Sequence, residues 1–250
     1  MCLRNKILKQ CRKADPGDTF LYRFEKEIYT FGEMQFPVPP ESLLDHGHIL
    51  KNSSSVITGF DPDHRFFIKK YKKNGWYRTL KRMLQPARAY SCLAAALRLR
   101  EIGIPTPQVL LASRYCLITE ILPPDHIFLQ DDPETARHLI PFIAKLHKYG
   151  IRHGDLNLRN IYLTPAGTFG LIDMDSVRLY SREVPEKERF LELARVISSY
   201  IKQGNYTPDR MEQIAHAFAE LYKKETGFEF QFNALMQRII YLVSRKKKKK

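Results

Sequence analysis

The 250-residue chain is 44% hydrophobic, contains 13 Tyr and 15 Phe, and has a formal net charge of +14. This composition excludes a largely disordered chain and predicts a globular protein of one domain or two small lobes. Without the five lysines at 246–250, the chain still has 36 basic and 27 acidic residues, a net charge of +9. Such an excess favours an anionic partner, such as nucleic acid, an acidic membrane face or a phosphorylated substrate, or else a solvated basic surface.

Several protein classes are excluded by simple patterns. No run approaches the roughly 20 apolar residues that a membrane-spanning helix needs. The N-terminal stretch MCLRNKILKQCRK is charged throughout and lacks the apolar core of a secretion signal, so we expect a cytoplasmic protein. The four cysteines are widely spaced and form no CxxC pair, which argues against a zinc or thioredoxin-like site.

The first half of the chain is rich in predicted strands. FPVPPE at 36–41 marks an irregular segment near the N-terminus. From His48, the stretches HILKN, VITGF and RFFIKKY are predicted as three strands, separated by the polar turns NSSS and DPDH. Residues 76–102 have helical periodicity, which Pro86 is expected to divide into two helices. GIPTP then ends the helix, and QVLLA and YCLITEIL are predicted as two further strands.

The second half is mostly helical. Apolar residues recur at helical spacing over about 133–149, 186–202, 208–224 and 230–244. This separation of strands from helices predicts an α+β protein with two lobes. The predicted parts are an N-terminal extension of uncertain structure at 1–47, an N-lobe with a five-stranded sheet plus helices at 48–120, a C-lobe at 121–245 and a basic tail at 246–250.

The polar residues that carry chemistry lie in HGDLNLRN (153–160) and in LIDMDS, which follows shortly after it. Two short strands joined by a turn at PAG would bring Asn160 close to Asp173. Together with Asp155, these side chains are hard oxygen ligands of the kind that magnesium prefers. Each residue alone is more often a cap or turn residue, so the prediction depends on the ordered set.

The ordered set resembles the H-R-D-L-x-x-x-N and D-F-G motifs of protein kinases. His153, Asp155, Leu156 and Asn160 stand at the matching offsets, and Asp173 follows 13 residues after Asn160. Within this superfamily, the chain is most similar to the lipopolysaccharide-core sugar kinases, the family of Kdo and heptose kinases. The shared stretches, in order over roughly 48–200, are FIKKYKKNGWYRTL, RLREIGIPTP, LITEIL, HGDLNLRNIYL and LIDMDS.

The resemblance implies a two-lobed protein-kinase-like fold that uses ATP and Mg²⁺. Asp155 would orient the acceptor hydroxyl and take its proton, while Asn160 and Asp173 would bind the magnesium ion. Lys69, on the third strand, matches the lysine that contacts the ATP phosphates. Lys70 should point to the opposite face, because side chains alternate along a strand. If the strand register is shifted by one residue, the two lysines exchange roles.

The resemblance also implies where the nucleotide is held. Ser53, Ser54 and Ser55 would form the turn above the phosphates, using backbone N–H groups and hydroxyls because the usual glycines are absent. TEIL would be the interlobe hinge, with backbone groups of Glu120 and Leu122 facing adenine.

Three departures from the kinase pattern bear on these roles. Ser91 and Cys92 stand where many kinases have a helix glutamate that pairs with the strand lysine, and no convincing substitute is visible in the sequence. Asp175 replaces the glycine of D-F-G and would either assist metal binding or cap the following segment. Asn157 replaces a lysine, and Arg159 or a lysine near the substrate would supply the missing positive charge.

The resulting expectation is an ATP-dependent kinase that phosphorylates a heptose or Kdo hydroxyl of the lipopolysaccharide inner core. Its partners would be the anionic core glycolipid and, peripherally, the cytoplasmic face of the inner membrane of a Gram-negative bacterium, with no obligate nucleic-acid partner. The basic run at 69–82, including Trp76, would face the glycolipid or be solvated. Two alternatives stay open: an atypical protein kinase, and a pseudokinase that binds anionic membranes or RNA.

Overall fold

The computed structural model describes residues 29–30, 42–72, 88–113, 115–129, 133–204 and 206–245. The described residues form two compact units. The first contains those up to Pro124 together with Asp173–Asp175, and the second contains the remainder. The lobe boundaries proposed from the sequence stay predictions, and the basic tail at 246–250 lies outside the described residues.

The first unit is built on an antiparallel sheet, which has six strands within the described residues. In chain order these are β1 (Tyr29–Thr30), β2 (His48–Asn52), β3 (Val56–Phe60), β4 (Phe66–Tyr71), β5 (Val109–Ala112) and β6 (Cys116–Glu120). Their order across the sheet is β1-β5-β6-β4-β3-β2. Five of them match the five predicted strands. The remaining strand, β1, was not predicted; it lies in the N-terminal extension and pairs with β5.

The register of β4 matters most, because this strand carries both candidate lysines. The DPDH turn before it is held by Asp61, whose Oδ1 accepts the backbone N–H of Arg65 at 2.7 Å and of Phe66 at 2.6 Å. Ile68 is buried in the core, opposite Ile118 of β6. Because side chains alternate along a strand, the turn and the buried Ile68 together fix where the next residues point.

A helix, α1 (Arg88–Glu101), belongs to the same unit and contacts β5. Its buried side chains are small or apolar: Ala89, Cys92, Leu93, Ala94, Ala95, Ala96 and Leu99. Gly103, with φ of +68°, follows the helix as the GIPTP motif predicts. The predicted helical segment before Arg88, including Trp76, lies outside the described residues, as do Cys2 and Cys11.

The second unit is mainly helical. Its helices are α2 (Pro133–Lys148), α3 (Glu186–Gly204), α4 (Pro208–Thr226) and α5 (Phe232–Ser244), close to the predicted ranges. Their apolar stripes are buried as predicted, including Leu139 and Ile143 on α2 and Leu193 and Ile197 on α3. The ends of α4 follow ordinary capping rules, with a side-chain cap from Thr207 before Pro208 and a left-handed glycine after Thr226.

Five short strands accompany these helices, one before α2 and four between α2 and α3: β7 (Ile127–Phe128), β8 (Ile151–Arg152), β9 (Ile161–Leu163), β10 (Phe169–Leu171) and β11 (Arg178–Leu179). β9 and β10 form the predicted hairpin, with Ile161 opposite Leu171. β7 pairs with β9, and β8 pairs with β11. The 153–160 loop therefore runs between β8 and β9, and β10 leads into Ile172 and Asp173.

With strands concentrated in one unit and helices in the other, the predicted α+β class is confirmed. Within the described part of the chain, no helix has the length and apolar character needed to cross a membrane.

Candidate active site

Lys69 of β4 is buried against two carboxylates. Its side chain is only 9% exposed, and Nζ donates to Oδ1 of Asp173 at 2.6 Å and to Oδ1 of Asp175 at 3.2 Å. Burial alone would lower the pKa of Lys69, but the negative charges of Asp175 and then Asp173 outweigh it and raise that pKa. Lys70 instead lies 3.5 Å from Asp45, with a side chain that is 37% exposed. The two lysines therefore have different surroundings, as strand alternation predicts.

Asp173 has a backbone φ of +57°, in the left-handed region that few non-glycine residues adopt. The preceding residue, Ile172, is held at both backbone groups. Its N–H donates to the carbonyl oxygen of Asn160 at 3.0 Å, and its carbonyl lies 2.9 Å from Nε2 of His153. A left-handed backbone at an acidic residue costs about 1–3 kcal/mol and is typical of functional sites.

Asp175 has a second set of donors besides Lys69. Its Oδ1 accepts the hydroxyl of Tyr71 at 2.9 Å and the thiol of Cys92 at 3.3 Å. Burial raises the pKa of both Tyr71 and Cys92 well above the ordinary values, so both groups stay protonated and can donate. Cys92 thus stands where many kinases have a helix glutamate, and Asp175 supplies a carboxylate near Lys69 in addition to Asp173.

In the second unit, the loop at 153–160 is organised around the carbonyl oxygen of Asp155. This oxygen accepts the amide nitrogens of Asn157 and Asn160, both at 2.8 Å. Because the amide nitrogen of Asn160 is committed, its Oδ1 is the atom that would bind a metal. The carboxylate of Asp155 is 52% exposed, and its Oδ1 accepts Nη1 of Arg195 at 2.6 Å. The positive charge beside Asp155 is therefore Arg195, and not Arg159 or a lysine as expected from the sequence.

Glu192 of α3 is buried under the same loop. Its Oε1 accepts the backbone N–H of Gly154 at 2.6 Å, and its Oε2 accepts that of His153 at 3.1 Å. Oε2 also lies 3.1 Å from Nε2 of His147, whose Nδ1 is 2.7 Å from the hydroxyl of Tyr222. Burial favours the neutral acid, but the contact with His147, followed by His153 and the Gly154 N–H, lowers the pKa of Glu192. An ionised carboxylate thus holds the start of the loop.

Three polar residues of α3 contact the loop, and the sequence analysis singled out none of them. They are Glu192, Arg195 and Ser199. The hydroxyl of Ser199 accepts the N–H of Leu158 at 3.2 Å. Their spacing of three and four residues places them on one side of the helix. Polar residues at helical spacing on an otherwise buried face were the signal that could have identified them.

Gly154 explains why this loop reads HGD where protein kinases have HRD. Its φ is +81°, and an added Cβ would lie 2.4 Å from the carbonyl oxygen of Ser176. An arginine at this position would be strained and would also clash with that backbone.

The predicted phosphate-binding turn lies between β2 and β3. The hydroxyl of Ser53 accepts the N–H of Val56 at 3.2 Å and donates to the Val56 carbonyl at 3.0 Å, so it holds the turn itself. Ser54 is exposed and Ser55 is partly buried. Contact of Ser53, Ser54 and Ser55 with phosphate stays a prediction.

The predicted adenine contacts lie at the end of β6. The backbone N–H of Glu120 donates to the backbone carbonyl of Gln108 at 3.0 Å. The backbone carbonyl of Glu120 accepts the Thr119 hydroxyl at 2.9 Å. Because that carbonyl has a second lone pair, it is the group of Glu120 that would meet an adenine amino group. Glu120 also lines a cavity of about 390 Å³ beside α1. The roles of Glu120 and of the partly buried Leu122 stay predictions.

The oxygen atoms of Asp173 and Asn160 suit magnesium, which needs only a few protein ligands, better than a metal ion that is bound by protein side chains alone. Within the described residues, no group of three or more His, Cys, Asp or Glu side chains is arranged to hold a metal ion. Magnesium typically uses one or two carboxylates together with phosphates and water. The carboxylate of Asp173, in the first unit, and Oδ1 of Asn160, in the second, are each ligands of this kind.

A strand lysine paired with an acidic loop, and a second loop with His, Asp and Asn at these offsets, are features typical of kinase-like proteins. Comparison with known proteins makes the resemblance more specific. Residues 130–222 match the model of the lipopolysaccharide kinase (Kdo/WaaP) family. The predicted resemblance to lipopolysaccharide-core sugar kinases is thereby confirmed for the segment that contains the 153–160 loop and α3.

Two individual proteins are also similar. A 3-deoxy-D-manno-octulosonic acid kinase of Xylella fastidiosa (strain M12) is 42% identical over 60 residues, which cover 24% of this chain and 23% of that protein. The match thus spans less than a quarter of the curated relative. The Rio2 kinase–ADP/Mg²⁺–phosphoaspartate complex from Chaetomium thermophilum aligns with a TM-score of 0.48 and 17% identity, over 80% of this chain and 70% of that one.

Proposed function

We propose that this protein is an ATP- and Mg²⁺-dependent kinase that phosphorylates a sugar hydroxyl, of heptose or Kdo, in the lipopolysaccharide inner core. The observation that carries the proposal is the buried contact of Lys69 with Asp173, in a chain whose residues 130–222 match the lipopolysaccharide kinase family. The similar protein from Xylella fastidiosa is named as a Kdo kinase, so Kdo is the first acceptor to test.

The roles of the side chains follow from their chemistry. Arg195 holds one carboxylate oxygen of Asp155, so the second oxygen would accept the proton of the sugar hydroxyl. Lys69 would bind the ATP phosphates, and Asn160 and Asp173 would hold the magnesium ion. Bound Mg²⁺ would neutralise charge on the phosphates that otherwise repels the attacking oxygen.

The buried lysine supports an enzyme over a pseudokinase. The pseudokinase alternative rests on two absences from the kinase pattern, the helix glutamate that pairs with the strand lysine and the glycines of the phosphate-binding turn. Asp175 lies 3.2 Å from Lys69, so the lysine has an acidic partner without that glutamate. No contact among the described residues favours an atypical protein kinase. An assay that offers both glycolipid and protein as phosphate acceptors would distinguish the two activities.

Transfer of labelled phosphate from ATP to purified core glycolipid tests the proposal. Two acceptors, one ending at Kdo and one extended with heptose, would identify the sugar. Lys69→Met is expected to lose transfer by at least about 100-fold, since a charge-assisted contact to the transferring phosphate is removed. Lys70→Met is the matched control on the same strand and should retain activity, because Lys70 pairs with Asp45.

Asp155→Ala and Asp173→Ala should both be inactive towards the glycolipid. Unchanged transfer in either variant would refute the assigned role of that residue. Phosphate transfer to protein serine, with none to either glycolipid, would identify an atypical protein kinase instead.

We also propose that the protein works at the cytoplasmic face of the inner membrane, where a lipid-anchored acceptor would be presented. A patch on α5, the α5 patch, supports this: Ile240 and Tyr241 are about half exposed, and Arg238 and Arg245 lie near the Tyr241 ring. After Glu229 the sequence has seven basic residues and no acidic one. Exposed apolar and aromatic side chains beside cations suit an anionic lipid surface, and each cation contributes about 1 kcal/mol there.

Sedimentation with lipid vesicles tests this location. Binding is expected to vesicles that contain phosphatidylglycerol, to weaken with salt, and to be absent with phosphatidylcholine alone. Ile240→Ser combined with Tyr241→Ser should weaken binding while all cations remain. Equal binding by this variant, or tighter binding to RNA than to anionic vesicles, would count against a membrane role of the α5 patch.

A further inference from the structure

The carboxylate of Asp175 is the meeting point of three side chains from two secondary-structure elements. Lys69 and Tyr71 reach it from β4, at 3.2 and 2.9 Å, and Cys92 reaches it from α1 at 3.3 Å. All three donate to the same oxygen, Oδ1. The donors are buried, and the side chain of Asp175 itself is 19% exposed. A carboxylate so enclosed by donors is fixed in one place.

The contacts distinguish between the two roles that the sequence left open for Asp175. A capping residue accepts a hydrogen bond from a backbone N–H near its own turn. Within the described residues, the carboxylate contacts of Asp175 are all to side chains of distant segments. A metal ligand, in turn, needs an oxygen that faces the ion, and Oδ1 of Asp175 faces an ammonium, a hydroxyl and a thiol, so only Oδ2 is left for an ion. Neither capping nor metal binding explains why three donors meet at Oδ1.

We propose that Asp175 is a positioning residue that takes the place of the helix glutamate of protein kinases by holding the ammonium of Lys69. The proposal rests on the function proposed above. In the structure, Lys69 contacts both Asp173 and Asp175. If Asp173 binds Mg²⁺, Asp175 would remain to hold the ammonium of Lys69 in position for the ATP phosphates.

Cys92 makes this substitution sterically possible. It lies on the buried side of α1, with its Sγ next to Asp175. A longer side chain at this position would occupy the space that Asp175 fills. The small thiol therefore leaves room for a carboxylate that arrives from another segment of the chain.

The test uses Asp175→Asn, which keeps the size of the side chain and removes its charge. Binding of a non-hydrolysable ATP analogue with Mg²⁺ is measured by calorimetry, and transfer to glycolipid by steady-state kinetics. The variant is expected to bind the analogue about tenfold more weakly and to lose about 10- to 100-fold in kcat/KM for ATP, the range for losing one contact to a charged group. Asp45→Asn, which removes the partner of Lys70, is the matched control and should match the wild type.

Two further readouts separate positioning from a merely structural role. In Asp175→Ala, where the space of the carboxylate is vacant, adding Cys92→Asp returns a carboxylate from α1 and should recover most of the affinity that Asp175→Ala loses. The Mg²⁺ concentration for half-maximal activity should stay the same in Asp175→Asn if Asp175 does not bind the metal. This second readout decides the matter if the double variant does not fold.

The possible results lead to different conclusions. Wild-type protein that neither binds the analogue nor transfers phosphate would overturn the proposed function itself. An active wild type with unchanged ATP affinity in Asp175→Asn would overturn only the role of Asp175. A raised Mg²⁺ requirement with unchanged analogue affinity at saturating Mg²⁺ would make Asp175 a metal ligand and would also overturn the positioning role.

Discussion

Glu192 offers a direct test of how α3 holds the 153–160 loop. Its Oε1 accepts the N–H of Gly154, while Oε2 accepts the N–H of His153 and contacts His147. In Glu192→Gln, one of these oxygens becomes an NH₂ group, which cannot accept a hydrogen bond. Whichever way the amide points, one backbone N–H of the loop loses its acceptor.

The size of the effect follows from the charge and burial of Glu192. A hydrogen bond to a charged group contributes about 1.5–3 kcal/mol. In a protein of this size, 1 kcal/mol shifts the melting temperature by about 2–4 °C, so we expect a decrease of about 3–12 °C at neutral pH. Thermal denaturation followed by circular dichroism measures it. Glu212→Gln, at an exposed position of α4, is the control and should change stability by less than about 0.5 kcal/mol.

The stability difference between wild type and Glu192→Gln should depend on pH in a definite direction. The pKa of Glu192 is lower in the folded protein than its ordinary value. Its stabilising contribution is therefore complete above the unfolded-state pKa of about 4.3 and is lost as the pH falls through the folded-state pKa. The difference between wild type and Glu192→Gln should be largest near neutral pH and should shrink in acid. A difference that is absent at neutral pH, or that persists undiminished in acid, would refute an ionised Glu192.

Two further predictions concern the same loop. Arg195→Ala should change stability by less than about 1 kcal/mol, because the pair with Asp155 is largely exposed. Phosphate transfer should fall roughly tenfold because the Asp155 carboxylate loses the contact that orients it, and an unchanged kcat would contradict this role. Gly154→Ala should be more destabilising than Gly167→Ala in thermal denaturation. Both glycines have positive φ, which costs an alanine about 1–3 kcal/mol, but only at Gly154 would the Cβ meet a backbone oxygen, that of Ser176. Equal losses would contradict the close approach.

Most of the regular structure could be predicted because it depends on local patterns. The strands from His48 to Tyr71 are separated by polar turns, and the helices of the second unit have apolar residues at helical spacing. β1 could not be predicted in this way, since a two-residue strand has no period and exists through its pairing with β5. The same reason applies to β7, β8 and β11, which are also two residues long.

The candidate site was predictable only where motif order carries the information. His153, Asp155, Asn160 and Asp173 were found by their offsets, and Lys69 by its match to the strand lysine of kinases. Strand alternation only placed Lys69 and Lys70 on opposite faces of the strand. Their roles in phosphate transfer stay predictions. The contacts from α3 were missed because Glu192 lies 38 residues after Gly154 in sequence, and no motif relates the two.

The second acidic partner of Lys69 comes from a different segment than the helix on which kinases usually carry it. A buried ammonium requires a nearby carboxylate, since burial without one would drive it to lose its proton. That requirement does not specify which segment supplies the carboxylate. Asp175 follows Asp173 by two residues, so one short segment brings both acidic groups to Lys69.

A glutamate at position 92 would add a third carboxylate beside one ammonium, and the repulsion among the three carboxylates would be unfavourable. Cysteine at 92 and aspartate at 175 are therefore expected to be coupled. A relative with glutamate at the position of Cys92 should have a residue without negative charge at that of Asp175, and acidic residues at both would contradict the coupling.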